Sequence, residues 1–93
     1  MKLAEIEKIV IQCLVENLKL SGEPIPNITP DTKPGCDLSG FDSIRTLEVL
    51  INIEEKLNCE LSPDKVFLDK KMEDVAVSTI AKTIHKIKKE LNS

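Results

Sequence analysis

A hydroxyl or thiol can act as a nucleophile only beside a base whose pKa lies near working pH, usually a histidine. This chain holds one histidine, His85. It falls among Lys82, Lys86 and Lys89 on the polar side of a helical pattern, where a solvated imidazole is expected rather than a catalytic base. Cys13, Cys36 and Cys59 are widely and equally spaced, which suits neither a disulfide framework nor a zinc cluster. Buried or half-buried thiols in a reducing compartment are the expectation. Gly22, Gly35 and Gly40 are scattered and form no phosphate-cradling loop, and Asp64, Asp69, Glu73 and Asp74 lack the spacing of a calcium loop. Neither a catalytic constellation nor a metal site is expected.

What remains is Asp42-Ser43-Ile44, at the point where a helical pattern begins. Aspartate and serine are both favoured as helix caps, because a side-chain oxygen there satisfies a free backbone N–H. If Asp42 is the cap, Ser43 becomes the first helical residue and its hydroxyl points outward. Unpaired N–H groups and the positive end of the helix dipole then make Ser43 a place where an attached phosphate is electrostatically tolerated.

The elements that must position this serine follow from periodicity. Leu3, Ile6, Val10, Cys13 and Leu14 recur at helical spacing, and a first helix is expected to run to about Leu20, ended by Ser21-Gly22. From Ser21 to Asp42 the chain carries Pro24, Pro26, Pro30, Pro34, Gly35 and Gly40, so a long loop without regular helix or strand is expected. Ile25, Ile28, Leu38 and Phe41 are its apolar anchors and predict an ordered connection crossing the bundle.

A second helix spans about Ser43 to Leu57, and Leu47, Val49, Leu50, Ile53 and Leu57 form its buried stripe. Ile44 and Ile51 fall beyond that stripe, beside Glu48 and Glu55. They make either a small partner-facing patch or a surface that the long loop covers. Ser62-Pro63-Asp64 is a start signal for a short helix to about Leu68. A last helix begins near Asp74 and stacks Val77, Ile80, Ala81, Ile84, Ile87 and Leu91 on one face.

The 93 residues bound the chain to one domain and one site. Its core must be aliphatic, with Phe41 and Phe67 the only aromatics. The formal net charge of −3 is unevenly spread, with Asp37–Asp64 net acidic and Lys65–Ser93 net basic. That asymmetry points to a basic protein partner for the centre and away from a nucleic-acid ligand. The scarcity of aromatics also argues against stacking on single strands. No apolar run reaches membrane-spanning length, and Met1-Lys2-Leu3-Ala4-Glu5 does not resemble a signal peptide, so a cytoplasmic monomer without membrane insertion is expected.

The stretch GFDSIRTLEVLINIEEKLNCELSPD resembles the signature of the acyl carrier proteins, in which Asp-Ser-Leu opens an acidic second helix with a Glu-Glu pair near its end. Asp42-Ser43-Ile44 matches the triplet, Glu48 the glutamate five residues after the serine, and Glu54-Glu55 the later pair. The resemblance covers most of the chain, including the long loop before the triplet and the helices after it.

The resemblance implies an all-α fold: a four-helix bundle of the acyl-carrier type, residues 1–93, three helices longer and one short, with a long loop between helices one and two. It implies that Ser43, with Asp42 beside it, carries 4′-phosphopantetheine, transferred from coenzyme A by a separate phosphopantetheinyl transferase, and that acyl groups ride on it as thioesters. Such a carrier is not itself an enzyme. Its partners are acyl-loading, condensing or acyl-transfer enzymes, docking on Arg45, Glu48, Glu54 and Glu55 around Ile44, Leu47 and Ile51. Ile44 stands where the family usually has leucine, and Arg45 where fatty-acid carriers commonly have an acid. That charge reversal suggests a specialised acyl, polyketide-like or aminoacyl pathway rather than general fatty-acid biosynthesis. The alternative is an unmodified helical adaptor that uses the same acidic helix for docking.

Overall fold

In the computed structural model, residues 2–38, 43–61, 66 and 75–91 are described, without the side chains of Ser43 and Leu91. Among them lie four helices and no strand: α1 (Leu3–Leu20), α2 (Pro34–Asp37), α3 (Ser43–Leu57) and α4 (Val77–Leu91). The architecture is all-helical, as expected, with α1, α3 and α4 the longer helices; the short α2 stands in the connection after α1 and is not the short helix expected before the last one.

Helix α1 forms where apolar side chains recur every three or four positions, and Ile6, Val10, Cys13, Leu14 and Leu18 are buried on one face. It stops at Gly22, whose φ of +71° glycine adopts readily because it has no Cβ. The Glu23 N–H reaches back to the Leu18 carbonyl at 3.0 Å and the Gly22 N–H to that of Lys19 at 3.2 Å. This paired closure satisfies two carbonyls that the end of a helix leaves open.

Helix α1 is the hub, packing against both α3 and α4. From α3 come Val49, Leu50, Ile53 and Leu57, and from α4 come Val77, Ile80, Ala81 and Ile84. Leu38, Leu61, Val66 and Val75 fill the same aliphatic core from the connecting segments.

The described part of the long connection, to Leu38, is not free of helix. Pro34 opens the single turn of α2, where its missing N–H costs nothing and its fixed φ suits a first helical residue. The Asp37 carboxylate accepts from the Lys33 N–H at 2.9 Å and holds that turn closed. Ile28 packs against the core and Leu38 is buried within it, whereas Ile25 is exposed and anchors nothing. Phe41 lies outside the described residues.

The same connection sets the start of α4. Val77 donates its N–H to the Thr32 carbonyl and Ser78 donates to that of Pro30, both at 2.8 Å. Ala76, whose carbonyl accepts the Ile80 N–H at 3.1 Å, is the residue just before α4 and has no side-chain acceptor for a cap. Loop carbonyls replace it, and α4 begins at Val77 rather than near Asp74. The short helix expected from Ser62 to Leu68 falls outside the described residues except for Val66, which is helical and buried.

Candidate functional site

Ser43 is the first residue of α3, a helix long enough to carry a full dipole. No acidic side chain stands in that first turn to compete for its N–H groups. The Ser43 side chain and Asp42 lie outside the described residues.

Beyond Ser43 the outward face of α3 is apolar at its centre and acidic at its edges. Ile44, Leu47 and Ile51 are 67%, 45% and 55% exposed, with Glu48 and Glu55 exposed beside them and Glu54 half-buried. The described part of the long loop therefore leaves Ile44 and Ile51 uncovered. Leu47 corrects the expected stripe. Thr46 occupies the inward position instead, 6% exposed, and at ~100° per residue Leu47 is carried round to the side of Ile44 and Ile51.

Arg45 does not lie on this outer face. Its Nε donates to Asn17 Oδ1 at 3.0 Å and its Nη2 to the Asn17 carbonyl at 3.4 Å, while Nη1 lies 3.8 Å from Glu23 Oε1. The side chain crosses to the end of α1 and is 12% exposed.

A groove of about 360 Å³ runs between α1 and α3, with Glu16, Asn17 and Leu20 on one flank and Glu48, Ile51, Asn52 and Glu55 on the other. Across it Glu16 accepts from Asn52 Nδ2 at 2.9 Å and from Lys56 Nζ at 3.4 Å. The Asn52 hydrogen bond, aided by the Lys56 charge, holds the Glu16 carboxyl below its ordinary range. Sequence reasoning missed Asn17, Glu16, Glu23 and Leu20. Periodicity ranks residues by face within one helix and carries no signal for a polar pair formed between helices.

The other reactive side chains are dispersed. Cys13 is buried in the core, and desolvation pushes its thiol up to about 11, so it stays protonated and inert at neutral pH. Cys59 is half-buried and its thiol is raised for the same reason. Cys36 is exposed, contrary to the expectation that all three thiols are sheltered, because α2 turns it outward. His85 is half-buried on α4 rather than fully solvated. Among the described residues no group of three or more His, Cys, Asp or Glu side chains is placed to hold a metal ion, and no helix is long and apolar enough to cross a membrane.

Residues 8–76 match the family model for a phosphopantetheine attachment site. Comparison with curated proteins and with solved structures gives no match.

Proposed function

The chain belongs to the phosphopantetheine-attachment family of the acyl carrier proteins, and from that membership we propose that Ser43 is its attachment residue. A protein of this family carries 4′-phosphopantetheine covalently, and domains of the family are generally non-catalytic. The bound group supplies a terminal thiol that holds acyl chains as thioesters.

Ser43 fits that group. It is a hydroxyl residue at the head of a fifteen-residue helix, where backbone N–H groups and the dipole favour a phosphodiester. Asp42 stands beside it in the sequence and is assigned with it to the attachment site.

The observation that carries the reading is the face that follows the serine. Three aliphatic side chains, Ile44, Leu47 and Ile51, stand in solvent on the same helix as Ser43 and are edged by Glu48 and Glu55. An apolar centre with a charged edge suits brief docking: the charges steer approach to a basic surface and the small apolar area permits release. We assign this face, with Glu54, to the phosphopantetheinyl transferase and to acyl-loading, condensing or acyl-transfer enzymes.

The lysine-rich C-terminal segment supports a specialised acyl pathway over general fatty-acid biosynthesis, in a cytoplasmic protein acting as one carrier domain over residues 1–93. Poor turnover by general fatty-acid elongation enzymes, relative to their own carrier, is the expected result. Equal turnover would return the protein to general fatty-acid synthesis.

The test of the attachment itself is intact mass after incubation with coenzyme A, magnesium and a broad-specificity phosphopantetheinyl transferase, with Ser43→Ala alongside. The native chain should gain one phosphopantetheine group and the variant none. No gain by the folded native chain with several transferases would leave an unmodified adaptor that uses the same face.

A further inference from the structure

A cation displayed between Ile44 and Leu47 would change which partner surface α3 accepts. The structure withdraws it. The Arg45 guanidinium meets Asn17 Oδ1 at 3.0 Å, the Asn17 carbonyl at 3.4 Å and Glu23 Oε1 at 3.8 Å, and these acceptors belong to α1 and to the first residues of the following loop.

We infer that Arg45 is a positioning residue, a clasp that fixes the first turn of α3, and Ser43 with it, to the end of α1, with its charge engaged inside the molecule rather than offered to a partner. What the clasp positions rests on the reading of Ser43 above; the clasp itself does not.

Three features support it. Asn17 is 7% exposed, so its side-chain oxygen needs a buried donor, and Arg45 Nε supplies one. The carbonyls at the end of α1 carry the negative pole of its dipole, where a cation is favoured. A guanidinium presents several donors in a fixed plane, which lets one side chain hold a side-chain oxygen, a backbone carbonyl and a carboxylate together. With Arg45 so engaged, the outward residues of α3 from Ile44 to Glu55 carry carboxylates and no lysine or arginine.

The test compares the native chain with Arg45→Met, Arg45→Lys, Glu23→Gln and the Met/Gln double variant, at a temperature where all are folded. Amide hydrogen exchange is read at residues 47–50, the first amides of α3 to donate within the helix. Arg45→Met should speed that exchange by roughly tenfold and leave the Val10 and Leu14 amides of α1 unmoved. Transferase turnover at saturating protein should fall by roughly tenfold, with KM nearly constant, because the serine and not the docking face is displaced. Arg45→Lys should recover part of both effects, and adding Glu23→Gln to Arg45→Met should cost nothing further.

A raised KM at constant kcat, additive with Glu23→Gln and without change in exchange, would make Arg45 a partner contact and overturn the inference. If the transferase modifies neither native chain nor variants, the reading of Ser43 fails. Exchange then decides the clasp alone: non-additive acceleration sustains it, and its absence removes it.

Discussion

Glu16 and Asn52 join α1 to α3 through a 2.9 Å hydrogen bond in which the carboxylate is the acceptor, with Lys56 as a second donor. The arrangement favours the ionised carboxyl and lowers its pKa from the ordinary 4.5. A group whose folded pKa is depressed adds stability above its unfolded value and loses it as pH falls through the folded one. Asn52→Ala should therefore lower the urea midpoint at neutral pH, by an amount that shrinks once pH drops below 4.5. Equal differences at pH 7 and pH 3 would mean that Asn52 acts through packing alone.

Ile51 and Ile53 differ by two positions and point to different worlds. Ile53 is 1% exposed and Ile51 is 55% exposed. Ile53→Ala should cost about 2–5 kcal/mol of unfolding free energy, since it leaves a cavity among packed aliphatic side chains. Ile51→Ala should stay within about 0.5 kcal/mol of the native stability while raising the KM for the transferase. Denaturant titration and transferase kinetics on the same two preparations separate the cases.

Gly22 has open space where a Cβ would stand, so the cost of Gly22→Ala is conformational and not steric against a neighbour. Its φ of +71° is the reason. A loss of about 1–2 kcal/mol is expected from forcing a side chain into the left-handed region. Gly22→Asn should lose less, as Asn58 already shows at the end of α3 with a φ of 53°.

The thiols should react in the order of their exposure. Because the thiolate is the nucleophile, alkylation at mildly alkaline pH should reach Cys36 first, Cys59 more slowly and Cys13 only on unfolding. Peptide mass mapping over a time course reads this order directly, and early labelling of Cys13 would show that the α1 core opens.

Much of this fold is legible in the sequence. The periodicity of α1, the Ser21-Gly22 stop and the inward run Val49, Leu50, Ile53 and Leu57 are local signals, and local signals survive into the fold. Ile44 and Ile51 were legible as residues the core does not need. Leu47 was misplaced because Thr46, polar but compact, took the inward position. Arg45 was legible as an anomaly of charge, while its turn toward Asn17 depends on a residue far away in the sequence and leaves no trace in its neighbours. The turn of α2 was hidden by proline and glycine, which usually punctuate but here sit where a first turn tolerates them.

Val77 and Ser78 give their amide protons to carbonyls of the loop that follows α1. Each of those two protons can be replaced by deuterium from solvent only when its bond to the loop opens. Two amides of the last helix thus keep time for a segment they do not belong to. Their exchange clock, read with and without a docked enzyme, registers whether that segment yields when a partner arrives.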